Sequence, residues 1–556
     1  MQAFNMSPAN LPELAAAFDL SDDQVCDMAE RAAKSVQRLA ANAWQRQCVS
    51  DDLVQRTLRR IALWYGVSNP SKQGLQQWMN RMADPSWWRR ALRNRFRQVE
   101  LHQIQRGAVH RQAGAYVSNK ALRRFERNRK RLDSLMASLD LVNQTTGEVM
   151  PLQDIVNASQ ANPSNRRKAM MARIKGIETH AKAQGHEALF VTITCPSRMH
   201  PRHVTGERNA RYDGTSPRQA QAYLGRLWNS AMRHAAHHGM CPYGLRVVEP
   251  HHDACPHWHV LVFVPADQVQ AITSVLRAYA LADSPDEPGA QERRFTVERI
   301  DPAKGSAVGY VAKYVSKSID GEGLNADDET GQAGADASRR IVAWARTWGI
   351  RQFQFFGVPS ITPTRELYRL NGDTLPSESL RAAHAACKAN DYAAWLDVRA
   401  TYGLAFKVQY SERPSTRYAD EISRAIHGLR VQGDDLAGVL ELVTRCESWR
   451  IEPRKKTPEA QGEGAGSLPA PAFPWTRFNN SATVDSQGFF GCEPPSAVSR
   501  ARSPRAPGVD DVVADLKQRA RVLESAGFRA AAQTMMARAW ARQDRLANQY
   551  QLGGAK

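Results

Sequence analysis

Pro256-His257-Trp258-His259-Val260-Leu261-Val262-Phe263 reads as a strand, taken from His257 to Val264, whose second half is wholly apolar. Residues two apart on a strand share a face, so His257 and His259 present two imidazoles together, with Trp258 opposite. Three more segments have the same texture. Leu189-Phe190-Val191-Thr192-Ile193-Thr194 is β-branched and aromatic and is ended by Pro196. Leu245-Arg246-Val247-Val248-Glu249 and Phe295-Thr296-Val297-Glu298-Arg299-Ile300 complete the set. Helical patterns fall at 218–238, between the first two strands, at 266–280, between the last two, and at 306–317, after the fourth. The alternation predicts an α+β fold: a central sheet with helices on one face, flanked by mainly helical N- and C-terminal regions.

Neutral imidazole is a common ligand of divalent metals. Glu249 ends the strand before the histidine pair and lies eight residues from His257. If the two strands pair, the loop 250–256 brings its carboxylate beside the imidazoles. Two nitrogens and one carboxylate oxygen, with positions left open, suit a catalytic divalent metal. His251, His252, Asp253 and Cys255 crowd the same loop, so a Cys255/His257/His259 zinc site is the rival assignment. Further on, Gly309-Tyr310-Val311-Ala312-Lys313-Tyr314-Val315-Ser316-Lys317 places Tyr310 and Tyr314 one turn apart on a helix, with Lys313 and Lys317 a second such pair. Two tyrosines on one face are more often packing than chemistry. A phenol with a pKa near 10 becomes a useful nucleophile beside a metal-bound phosphodiester, where a lysine steadies the developing charge.

The rest of the 556 residues points to a polyanion as partner. Seventy-five Lys and Arg against 56 Asp and Glu give a formal net charge of +19. Between Ser86 and Arg131 stand 14 basic residues against only Glu100 and Glu126, among them Arg89, Arg90, Arg93, Arg123 and Arg124. This region reads as helix, with Trp87, Trp88, Phe96, Tyr116 and Phe125 interleaved. Arginines there would pair with phosphates while aromatic faces stack on bases; the plainer reading makes the aromatics core. No apolar run approaches the roughly 20 residues of a spanning helix, and no secretory signal is legible at the N-terminus. Eight scattered cysteines without a CxxC pair fit a reducing compartment. The expected organisation is a basic helical DNA-binding region over 1–170, a sheet-containing domain over 171–365 and a helical accessory region over 366–451, with Asp420–Gly428 as one of its helices. A Pro/Gly/Ser-rich flexible linker over 452–510 and a helical segment over 511–556 complete it.

Taken together, these residues resemble the HUH endonucleases, the single-strand nickases of rolling-circle replication and conjugation. His257-Trp258-His259 looks like their paired histidines, and Phe190–Thr194 like the strand motif that precedes them. Tyr310 to Lys317 looks like the two-tyrosine motif of phage rolling-circle initiators. More narrowly, Trp87-Trp88-Arg89-Arg90, Asn162–Arg167 and Ala343–Phe353 are similar to the replication gene A proteins of tailed temperate phages. The resemblance implies a ferredoxin-like nickase domain, ligation of Mg²⁺ or Mn²⁺ by His257, His259 and Glu249, and attack by Tyr310 or Tyr314 on a phosphodiester in single-stranded DNA at a replication origin. A 5′-phosphotyrosyl link and a 3′-OH would result, the latter extended by a host polymerase. The chain has no GxxxxGK[ST] phosphate loop, so a host replicative helicase is the expected motor, and the bacterial cytoplasm the expected location, for a phage or prophage product. A relaxase or transposase of the same superfamily, or a non-catalytic basic DNA-binding protein, are the alternatives.

Overall fold

The computed structural model of the protein describes residues 22–45, 50–67 and 74–454, apart from 302, 304 and 416–421. The described residues open with five helices: α1 (Asp22–Gln45), α2 (Asp51–Trp64), α3 (Leu75–Met82), α4 (Pro85–Gln105) and α5 (Asn119–Ala137). The hairpin β1 (Leu139–Asn143) and β2 (Val149–Pro151) follows, then α6 (Leu152–Ala158) and α7 (Pro163–Ala183). The region from 86 to 131 is therefore not one helix. Residues 106–118 leave the helical path, with Gly107 and Tyr116 both at positive φ. The interleaved aromatics are mostly core. Trp88 and Phe96 are buried, and the Trp88 indole donates to the Met82 carbonyl at 2.6 Å.

The central sheet is built from β3 (His186–Thr194), α8 (Pro217–His237), β4 (Tyr243–Pro250), β5 (Pro256–Pro265), α9 (Val269–Ala280) and β6 (Phe295–Arg299), in that chain order. All neighbours run antiparallel, in the order β6-β3-β5-β4-β7, the edge strand β7 being Phe353–Phe356. The aromatic run at 353–356 is this fifth strand. Two helices intervene between β6 and β7: α10 (Ala307–Lys317) and α11 (Gly334–Trp348).

Period-two alternation divides the strands between two cores. Leu189, Val191, Ile193, Trp258, Val260 and Val262 face α8 and α9. Phe190, Leu245, Val247, Leu261 and Phe263 face α7 and α10. Helices thus cover both faces, not one. The strands are apolar on both sides, and burying the second set requires the second layer of helices. Local signals fix where these helices begin. Ser216 makes a reciprocal capping box with Gln219, followed by Pro217, and Ser306 accepts from the Gly309 amide at the start of α10.

Beyond β7 come α12 (Thr362–Tyr368), α13 (Glu378–Lys388) and α14 (Tyr392–Thr401). The chain then returns to sheet. β8 (Ala405–Pro414), β9 (Ile422–Gln432) and β10 (Leu440–Val443) form one antiparallel sheet, and β11 (Trp449–Pro453) pairs with β1. The helix expected over Asp420–Gly428 is a strand from Ile422 onward. Residues 452–453 belong to β11 and not to a linker. Residues 455–510 of that linker and the segment over 511–556 lie outside the described residues. Among the described residues, no helix is long and apolar enough to cross a membrane.

The fully buried Trp344 of α11 donates its indole N–H to the Ala254 carbonyl at 3.0 Å, clamping the β4–β5 loop. Trp344→Ala is expected to cost about 3–5 kcal/mol. Urea unfolding followed by circular dichroism checks this, and an unchanged midpoint contradicts it.

Candidate metal centre and active site

The β4–β5 hairpin builds the centre. Its register sets Glu249 opposite His257 and Val247 opposite His259, while β3 places Thr194 and Thr192 on the other flank of the same two histidines. Glu249, His257 and His259 are all buried, and one ligand atom from each lies within 4.8 Å of the others. The two Nε2 atoms converge to 2.9 Å. On His259 the other nitrogen, Nδ1, lies 3.1 Å from Thr192 Oγ1. A proton shared there leaves the Nε2 lone pair turned inward, as in metal-bound histidines oriented by an outer partner. The donor set, two imidazoles and a carboxylate, fits a divalent cation with open positions.

Electrostatics keeps the imidazoles available. Burial holds His257 well below its ordinary range and brings His259 down to about 3. Both are neutral at physiological pH. Burial pushes Glu249 up to about 7, opposed by Lys317 and by a hydrogen bond from Ser318. Ser318 Oγ donates to Glu249 Oε1 at 3.1 Å, and Lys317 Nζ lies 3.5 Å from Oε2 and 2.8 Å from Asp327 Oδ1.

Cys255 takes no part. Its sulfur and that of Cys195 lie in the core on the α8 side, both near the Pro256 carbonyl. Among the described residues, the cluster able to hold a metal contains Glu249 and not Cys255. The other loop residues stand around these three side chains. His251 stacks on His257 with 3.9 Å between ring centroids. The His252 amide donates to Glu329 at 2.8 Å. Asp253 pairs with His200 at 3.1 Å; burial lowers His200, but Asp253 outweighs it and holds the imidazole at about 9.

Helix α10 lies over the same face of the sheet. The Tyr314 ring sits 3.9 Å from that of His259 and 5.2 Å from Phe190; Tyr310 is 6.2 Å from Phe190. Both tyrosines are half-buried. The Tyr310 hydroxyl donates to Glu298 at 2.9 Å, which raises its pKa, whereas burial raises that of Tyr314. The lysines differ from one another. Lys313 is partly exposed and pairs with Asp328, whereas Lys317 is buried against Glu249 and Asp327. Sequence reading missed Asp327, Glu329 and Ser318, and took Tyr116 only as one of the aromatics interleaved with the arginines. Tyr116 reaches the site from 211 residues away from Asp327, a distance no local pattern encodes.

Residues 13–322 match the family of the bacteriophage replication gene A protein (GPA), a span holding the histidine pair, Glu249 and both tyrosines. The chain belongs to that family. Within the family it is 33% identical over 445 residues to the "Replication protein" of Haemophilus phage HP1, covering 76% of this chain and 56% of the relative. It is 33% identical over 396 residues to the "Replication gene A protein" of Escherichia phage P2, covering 67% and 51%. It is 34% identical over 486 residues to a "Probable replication endonuclease from prophage-like region" of Salmonella paratyphi A, covering 83% and 58%. The chain thus spans little more than half the length of these relatives. No solved structure matches it.

The basic residues of this family member are divided in their contacts. Arg90, Arg93 and Arg123 are exposed. Arg89 is half-buried and donates to Ser86 at 3.2 Å, and Arg124 stacks on the Phe96 ring at 2.9 Å. Arg95 and Arg97 bond the Tyr65 and Thr347 carbonyls instead. On α5, Lys120, Arg123, Arg127 and Lys130, together with Glu126, line one shallow groove along a single helical face.

Glu249 must lose a proton to bind a cation, while the imidazoles stay neutral far below that pH. Apparent Mn²⁺ affinity is therefore expected to rise about tenfold per pH unit up to about 7 and to level off above it. Titration calorimetry across pH 7 checks the curve. Glu249→Gln should weaken binding and flatten the dependence; a wild-type curve without slope below 7 contradicts it.

Proposed function

We propose that the protein is a site-specific, metal-dependent nickase and strand transferase that initiates rolling-circle replication of a phage genome. The observation that carries this reading is the contact between Tyr314 and His259, rings 3.9 Å apart, with Glu249 and His257 alongside and Tyr310 one turn away. The sheet supports it as well. Its β–α–β–β–α–β chain order with all-antiparallel neighbours is that of a ferredoxin-like fold, the framework expected of an HUH nickase.

A divalent cation bound by Glu249, His257 and His259 would draw charge from the scissile phosphate and orient it. One phenol attacks phosphorus. The Oη–P bond forms, the bond to the 3′-oxygen breaks, and the phenolic proton is balanced by the proton taken up at the 3′-OH. The 5′-phosphotyrosyl ester keeps the phosphodiester energy, so rejoining requires no nucleotide triphosphate. Four residues at about 1.5 Å rise separate the two tyrosines by about 6 Å along α10, near enough to serve one phosphate in turn. Lys313 is the lysine placed to meet a phosphate oxygen, by exchanging Asp328 for it. Lys317 neutralises Glu249.

Single-stranded DNA at the origin is the substrate. The exposed arginines of α4 and the basic face of α5 bind its backbone, a contact that weakens with salt. Extension of the 3′-OH and unwinding fall to a host polymerase and a host replicative helicase in the bacterial cytoplasm.

Incubation with origin-containing single-stranded DNA and Mn²⁺ should yield a denaturant-resistant adduct. Tyr310→Phe and Tyr314→Phe should each impair complete strand transfer, and the double variant should lose the adduct altogether. An adduct retained by the double variant would place the nucleophile elsewhere. His257→Ala and His259→Ala should each reduce nicking by at least about a hundredfold; full activity in metal-replenished assays would remove the ligand assignment.

A further inference from the structure

Tyr116 is an anomaly that the nickase reading leaves without a role. It comes from the irregular segment between α4 and α5, far from the central sheet in sequence, and its side chain is completely buried. Its φ is +72°, a left-handed conformation that is costly for a bulky residue and persists only where surrounding contacts enforce it. Those contacts are visible on every side. The Tyr116 amide donates to the His252 carbonyl at 3.1 Å. Its hydroxyl donates to Asp327 Oδ2 and lies 3.4 Å from Glu329. The Lys317 ammonium stands 5.4 Å from its ring centroid, on the attractive face of the π system.

From there the contacts run to the metal centre. Asp327 binds Lys317 at 2.8 Å, and Lys317 lies 3.5 Å from Glu249 Oε2. A buried ammonium between two buried carboxylates is tolerated only if each group is held in place by further bonds. Tyr116 supplies one of those bonds and closes one side of the ammonium's cage. The segment that carries it is anchored separately. Buried Glu100 accepts from the Ser118 amide at 2.8 Å and hydroxyl at 2.6 Å. Arg340 of α11 donates to the carbonyl of Val117 at 3.0 Å.

We infer that Tyr116 is a positioning residue of the cation centre: through Asp327 and Lys317 it fixes the Glu249 carboxylate, so the N-terminal helical region completes the centre it docks against. This rests on the reading that Glu249, His257 and His259 hold a divalent cation. The phenol touches neither cation nor DNA; it acts through two intermediaries. Outer partners of this kind commonly change metal affinity about 10–100-fold.

The test measures Mn²⁺ binding to the full chain by titration calorimetry, alongside the Mn²⁺ dependence of adduct formation. Tyr116→Phe, which removes one oxygen, should weaken Mn²⁺ about tenfold and raise the Mn²⁺ concentration for half-maximal adduct equally, with adduct yield restored at saturating Mn²⁺. If that variant does not fold, Asp327→Asn reads the same chain of contacts from its other end and should give the same shift. Wild-type Mn²⁺ affinity in the deciding variant overturns the inference, as does a loss of yield that saturating Mn²⁺ leaves uncorrected. His257→Ala separates the two levels. Where it abolishes Mn²⁺ binding and Tyr116→Phe leaves binding unchanged, only the role of Tyr116 falls; where it binds Mn²⁺ as the wild type does, the cation site and the inference fall together.

Discussion

Antiparallel pairing of β4 with β5 sets one carboxylate opposite one imidazole, and the rest of the centre depends on that register. A slip of one residue would turn His257 and His259 to the α8 side and bring Trp258 into their place. The register is held from both faces. Trp258, Val260 and Val262 fill one core, Leu261 and Phe263 the other, and neither set tolerates exchange. The short loop, clamped by Trp344 and by the His200–Asp253 pair, removes the remaining freedom. Hydrophobic burial, which has no chemical specificity, thereby brings together three side chains that could hold a metal.

The cost of this arrangement is buried charge. Glu249, Lys317 and Asp327 are all largely withdrawn from water, and each alone would be strongly unfavourable. They persist as an alternating series with Ser318 and Tyr116 at its margins. The series explains why Lys317, which sequence alone suggests as a phosphate ligand, is engaged with carboxylates, whereas the more exposed Lys313 pairs with Asp328 at the surface. It also brings Tyr116 of the N-terminal region into contact with the series, through Asp327.

Much of this was legible in the sequence wherever chemistry and periodicity coincide locally. The alternation His257-Trp258-His259 within an apolar run announced both a strand and two imidazoles on one face of it, and the four-residue spacing of Tyr310 and Tyr314 announced a shared helix face. The four strands were found because each is buried on both sides and so rich in β-branched and aromatic residues. β9 escaped because its first half is exposed, and Ile422-Ser423-Arg424-Ala425 carries no apolar alternation. The second helical layer escaped because it is composed of α7, which precedes the sheet, and α10, which follows it. The role of Tyr116 was hidden for a plainer reason: its partners are Asp327, Glu329 and Lys317, brought near only by tertiary packing.

The central claim is that a divalent cation rests among Glu249, His257 and His259, directly under Tyr314. Anomalous diffraction at the manganese edge from crystals grown with Mn²⁺ tests it most directly. The account predicts a strong peak at bonding distance from all three side chains, on the α10 face of the sheet. A peak beside Cys255 on the opposite face, or none near the histidines at saturating Mn²⁺, would contradict it.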